Sequence, residues 1–172
     1  MTEDAFLQAL FARLPSPPGK LVIPPGDDCA GYALGGGKIL LLAVDQIVEK
    51  RHYLAEGPAA ATPEQVGRKL LARNLSDIAA MGGKPLFCLV ASSLGPRHDE
   101  RWLNRFFKGL LELAKKQGVF LIGGDLATAP ADTVAALTII GEVGARDVCQ
   151  RTGARPGDLL FATGKFGRSF QT

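Results

Sequence analysis

At 172 residues, 47% hydrophobic and 22% charged, with a formal net charge of +3, the chain has the make-up of a globular protein, enough for one domain and part of a second. That balance excludes a disordered segment, which needs fewer apolar residues and more net charge. Lys and Arg are scattered, so neither a nucleic-acid surface nor a basic membrane surface is expected.

Residues 4–14 carry Leu7, Leu10, Phe11 and Leu14 at helical spacing, which predicts a short amphipathic helix behind an acidic N-terminus unlike a signal peptide. Pro15 to Gly26 is rich in proline and is expected to be an extended connector. Gly35-Gly36-Gly37 stands before a strand and predicts a hairpin-like turn. The run 38–45, closed by Asp45, predicts a strand buried on both faces. Its apolar core, Ile39 to Val44, is too short to cross a bilayer. Thr62 before Pro63 forms an N-cap and first-turn proline for a helix reaching about Met81 and ending at Gly82-Gly83.

Residues 85–93 read as a strand and 99–117 as a second helix, ended by Gly118. Val119 to Ile122 reads as a short buried strand ending in Gly123-Gly124-Asp125, and 133–143 as a long strand. After the first helix the order is β-α-β-α-β-β, an α+β fold with helices on one face of a sheet. Arg155-Pro156-Gly157-Asp158 is a turn, and Leu159 to Thr163 begins another strand with nothing of its own to pair with. The expected division is residues 1–147 as one domain and 148–172 as a linker and the first strand of a second. Cys29, Cys88 and Cys149 are far apart, giving neither a disulfide framework nor a zinc site; three small buried hydrophobes in a reducing cytoplasm are expected.

The chemistry is carried by aspartates. On a helical wheel Val66, Leu70, Asn74, Asp77 and Met81 share one stripe, so Asp77 sits on the core-facing side. A carboxylate there is costly unless paired or bound to a cation. It is a salt bridge, for instance to Arg73, a cap for a neighbouring loop, or a ligand. Asp27 and Asp28 lie in a Gly-Asp-Asp turn, while Asp45 and Asp125 are placed at strand ends, where ligand sites gather. Hard oxygens in that number suit Mg²⁺, which brings phosphates with it. Neither phosphate-loop motif, G-x-x-x-x-G-K-[ST] nor G-x-G-x-x-G between strand and helix, is present. His52, alone beside Arg51, is more often structural than functional.

Gly26-Asp27-Asp28-Cys29-Ala30, Asn74-Leu75-Ser76-Asp77-Ile78-Ala79-Ala80-Met81-Gly82, Gly123-Gly124-Asp125 and Arg151-Thr152-Gly153-Ala154-Arg155-Pro156-Gly157-Asp158 occur in this order. Together they resemble thiamine-monophosphate kinases, in the superfamily of aminoimidazole ribonucleotide synthetase. The resemblance implies the N-terminal domain of that fold and Mg²⁺-dependent phosphoryl transfer from ATP to thiamine monophosphate, giving thiamine diphosphate. It implies Asp28, Asp45, Asp77 and Asp125 as metal ligands, and Gly124, Asp125, Arg151 and Phe107 as nucleotide contacts. His52 would contact the thiamine substrate, and the sheets of two copies would pair into a homodimer. The chain departs from the family where Ala43-Val44 precede Asp45 in place of hydroxyl residues, where Phe107 replaces a tyrosine, and where Leu126 replaces a threonine. An incomplete second domain would leave either part of a working kinase or a dimerising, nucleotide-binding module without turnover.

Overall fold

The computed structural model describes residues 2–162 and Gly164. The first helix, α1, spans Glu3–Phe11, capped by the Thr2 hydroxyl, which accepts from the Ala5 N–H. The proline-rich connector is more than a connector: it contains a short strand, β1 (Leu21–Ile23). A second unforeseen strand, β2 (Ala30–Gly35), turns through Gly35, Gly36 and Gly37, all at positive φ, into β3 (Lys38–Val48). Short length hides β1, and small residues hide β2, from a reading based on periodicity.

The helix α2 (Pro63–Ala80) begins in a capping box, in which the Thr62 hydroxyl accepts from the Gln65 N–H and the Gln65 side chain accepts from the Thr62 N–H. It ends in a Schellman turn: Gly83 N–H donates to Ile78 C=O, Gly82 N–H donates to Ala79 C=O, and Gly82 takes a left-handed φ of 69°. Strand β4 (Lys84–Leu94) leads to α3 (Glu100–Gln117), capped by Asp99 and stopped by left-handed Gly118. Strands β5 (Phe120–Thr128) and β6 (Val134–Gly144) complete the sheet.

The sheet order is β1-β2-β3-β6-β4-β5, antiparallel except for the parallel pair β4–β5. Helices α2 and α3 cover one face. Leu41, Ile47, Leu137, Ile139, Cys88 and Val90 point into that layer and meet Val66, Leu70, Leu71, Phe106 and Leu110. The two helices touch through glycine: a Cβ on Gly67 would overlap the Phe106 carbonyl, and one on Gly109 would overlap the Glu64 carbonyl. Arg105 clasps both oxygens of Glu64 beside this contact, at 2.7 and 2.9 Å.

Helices on one side only explain a correction. Strand β3 is buried on its helix-facing positions alone, and on the other side Val44 is 67% exposed. Likewise β5 is neither short nor buried, with Phe120 and Ile122 largely exposed. Cys29 and Cys88 are buried as expected, whereas Cys149 is exposed. The Arg155–Asp158 turn forms, with the Asp158 carboxylate accepting from the Arg155 N–H at 2.8 Å. Residues 159–162 form no strand, and Leu159, Leu160 and Phe161 lie exposed; Thr163 lies outside the described residues.

Candidate functional site

Asp45 is not at a strand end. It lies within β3, opposite Leu137 of β6, on the helix-facing row between buried Leu41 and Ile47. An ionised side chain in such a row must be matched locally, and α2 does so. Arg73 donates from Nε to Asp45 Oδ2 at 2.8 Å and from Nη2 to Oδ1 at 2.9 Å, a two-point ion pair. This hydrogen bonding to Asp45 raises the Arg73 pKa. Arg73 is therefore the partner of Asp45, not of Asp77, the residue that its spacing along the helix suggests.

The next residue fixes the backbone. Asn74, fully buried, accepts the Asp45 N–H at 3.1 Å through Oδ1 and donates to Leu70 C=O at 2.9 Å through Nδ2. An asparagine on an apolar helical stripe is legible in the sequence, but its partner 29 residues away is not.

One turn later, the Asp77 carboxylate takes no hydrogen bond and no ion pair among the described residues. Burial first, then the neighbouring charges of Asp45 and Asp28, push its pKa from the ordinary 3.8 up to about 6; Arg73 and Arg151 pull the other way. The buried Cys29 thiol is pushed up to about 12, by burial first and then by Asp77, Asp28 and Asp27. Asp28 and Asp27 come from the turn before β2. Their counter-charge is Arg151, whose Nη2 donates to Asp28 Oδ1 at 2.5 Å and whose N–H donates to Asp27 Oδ2 at 3.2 Å. Asp27 also accepts the Asp28 N–H at 2.9 Å, so it shapes the turn.

Thus Asp28, Asp45 and Asp77, with Arg73 and Arg151, form one electrostatic cluster. Among the described residues, no three His, Cys, Asp or Glu side chains converge as a ready metal-binding group. The cluster nevertheless suits a hard cation: its donors are carboxylate oxygens, and Asp77 is partly buried with no direct ion-pair partner among the described residues. Asp125 belongs elsewhere. It lies within β5, where three inter-strand steps from β3 amount to about 14 Å.

There Gly124, Asp125 and Phe107 line a groove of about 450 Å³ between the β4–β5 edge and α3. Gly124 passes so close to β4 that a Cβ would overlap the Val90 carbonyl. His52 lines a separate hollow of about 590 Å³ with Tyr53, Gln65 and Lys69. Its Nδ1 accepts the Val48 N–H at 2.9 Å, and Lys69 donates to its carbonyl at 2.7 Å. The sequence-predicted residues therefore occupy three neighbourhoods.

A further polar group carries no signal in the sequence. Glu49 is buried, accepts the Thr133 N–H at 3.1 Å, and stands 3.3 Å from the His98 Nε2, out of line for a hydrogen bond. Trp102 stacks on His98 with 4.1 Å between ring centroids. This group pins the ends of β3 and β4 to the start of β6.

A sheet with two helices on one face and acidic turns beside it defines a class, and the comparisons agree. The chain belongs to the family of AIR synthase related proteins, matching the N-terminal domain over residues 26–143. It is 39% identical over 144 residues to the thiamine-monophosphate kinase of Bacillus subtilis (strain 168), covering 84% of this chain and 43% of that protein. To the Escherichia coli (strain K12) thiamine-monophosphate kinase it is 34% identical over 167 residues, covering 97% of this chain and 49% of that one.

Among solved structures, one described as AaThiL complexed with AMPPCP and TMP matches with a TM-score of 0.76 and 27% identity, over 89% of this chain and 45% of that chain. The hydrogenase maturation protein HypE in complex with ATP, at 21% identity and a TM-score of 0.59, shares the fold alone. The chain spans about half the length of the curated relatives it matches. No helix among the described residues is long and apolar enough to cross a membrane.

Proposed function

We propose that this chain is the Mg²⁺- and ATP-binding part of a cytoplasmic thiamine-monophosphate kinase, with Asp28, Asp45 and Asp77 as metal ligands. The observation that carries this reading is the Asp77 carboxylate, without hydrogen bond or ion pair among the described residues and beside two others, on a chain 39% identical to a thiamine-monophosphate kinase over 144 residues. Bound Mg²⁺ supplies neutralisation of the charge on the transferring phosphoryl group. The chain's own contribution is placement. Asn74 fixes the backbone of Asp45, and helix α2 presents Asp77 beside it.

The groove of Gly124, Asp125 and Phe107 is assigned to the nucleotide, with Phe107 offering a ring face and no hydroxyl. Arg151 is assigned to its phosphates and His52 to the thiamine substrate. Residues 148–172 are read as a linker and the start of a second domain. The apolar sheet face bearing Val44, Phe87, Phe120 and Ile122 is read as the surface through which two copies pair. Sedimentation at micromolar concentration is expected to give a homodimer, and a monomer would rule this interface out.

Activity is tested by incubating the protein with Mg²⁺, ATP and thiamine monophosphate and measuring thiamine diphosphate. Formation that falls by at least about 100-fold in Asp77→Asn is the expected result for a working site. A second reading, a dimerising nucleotide-binding module without turnover, is favoured by Ala43 and Val44, which put apolar side chains immediately before Asp45. Magnesium-dependent nucleotide binding without product would select it.

A further inference from the structure

We propose that Arg73 is a resident counter-cation that holds Asp45 until metal and nucleotide arrive together, so that metal loading is coupled to phosphate binding. The inference rests on the magnesium–nucleotide site proposed above. Both oxygens of Asp45 are engaged by the guanidinium, at 2.8 and 2.9 Å. The backbone that carries this carboxylate has little freedom to move away, because Asn74 anchors the Asp45 N–H at 3.1 Å. A cation approaching Asp45 must therefore share it with Arg73 or displace Arg73.

A divalent cation arriving alone would face the guanidinium charge at close range, with Asp77 and Asp28 as the remaining acidic neighbours. Arg151 already engages Asp28 at 2.5 Å, so a second resident cation opposes entry from that side. Phosphate oxygens change the balance. They bring negative charge with the metal and offer the fork of Arg73 a bidentate partner equivalent to the carboxylate it gives up. Arg73 is partly exposed on the surface of α2, with 37% of its side chain open, so it can turn towards a phosphate without disturbing the core.

A purely structural ion pair would behave differently, losing stability on substitution and binding metal no better. A resident counter-cation would, once removed, free Asp45 for metal in the absence of nucleotide.

The test is Mn²⁺ binding followed by the electron paramagnetic resonance of the free ion, with wild type, Arg73→Gln and Arg73→Lys, each with and without AMPPCP. Wild type is expected to bind Mn²⁺ weakly alone and more tightly with AMPPCP. Arg73→Gln is expected to bind Mn²⁺ alone about 10-fold more tightly than wild type, with a correspondingly smaller gain from nucleotide. Arg73→Lys, which keeps the charge but not the two-point grip, is expected to fall between them, and it serves alone if the glutamine variant does not fold. Unchanged or weaker Mn²⁺ binding by the variants, with nucleotide-dependent binding by wild type intact, would overturn the role of Arg73 only. Wild type that binds no Mn²⁺ even with AMPPCP would overturn the underlying site and this inference with it.

Discussion

Replacing Asp77 with Asn is expected to remove the stabilisation that Mg²⁺ and AMPPCP give the wild-type protein, while making the metal-free protein more stable at pH 8. A ligand that binds only the folded state at 100 times its dissociation constant contributes about 2.7 kcal/mol. For a protein of this size that corresponds to a Tm rise of about 5–10 °C. The variant is expected to keep less than about a quarter of that rise, because it lacks the carboxylate that has no direct ion-pair partner among the described residues.

The metal-free sign follows from linkage. The unfolded chain releases the Asp77 proton near 3.8, whereas the folded chain holds it to about 6. Between these values the folded state binds more protons, so this residue's contribution to stability falls as pH rises. Above pH 6 the ionised carboxylate is a standing cost, on the order of 1 kcal/mol once solvent screening of a partly exposed group is allowed for. Asn avoids it. The variant should therefore melt about 2–4 °C above wild type at pH 8 in EDTA. Well below 3.8 both states hold the proton and the difference should vanish. Melting curves at about pH 3 and pH 8, with and without ligand, give all four values. An equal ligand-induced shift in the two proteins would contradict the role given to Asp77.

The largest structural effect is expected at the glycine contact between the helices. Gly109→Val would drive side-chain atoms into the Glu64 carbonyl, which is backbone and cannot turn aside. The helices must separate, and the Arg105–Glu64 pair beside them must stretch. Overpacking of this kind costs about 3 kcal/mol, a Tm loss of about 6–12 °C. The consequence reaches the site, because α2 carries Arg73, Asn74 and Asp77 while α3 carries Phe107. Thermal melting checks it, and a Tm within 2 °C of wild type would show that the helices tolerate a wider spacing.

Helix α2 is the element most legible in the amino-acid sequence. Its boundaries follow from Thr62, Pro63 and the Gly82-Gly83 stop, since caps act through local hydrogen bonds that sequence displays. The stripe that carries Asp77 is legible for a similar reason: helical periodicity places Val66, Leu70, Asn74 and Met81 inside, and all are buried. Strands β1 and β2 escape such a reading because three to six small or proline-flanked residues carry too little pattern.

Pairing between distant elements is the other blind spot. Arg73 lies four residues before Asp77, which favours an intrahelical pair on spacing alone, yet it reaches across to Asp45, 28 residues away. Only the packing of α2 on β3 decides that choice. Asp125 follows two glycines after an apolar run, and this resemblance to a strand end groups it with the other aspartates. The run in fact continues to Thr128, which carries Asp125 along the far edge of the sheet, into the groove with Phe107.

The central claim, that Asp28, Asp45 and Asp77 hold a magnesium–nucleotide complex, is tested most directly by titration calorimetry of AMPPCP. The titrations compare wild type with the double variant Asp45→Asn, Asp77→Asn, each in Mg²⁺ and in EDTA. Wild type is expected to bind in Mg²⁺ and to lose at least about 10-fold in affinity in EDTA, whereas the double variant binds weakly in both. Equal affinity of wild type in Mg²⁺ and EDTA, unchanged in the double variant, would contradict the claim.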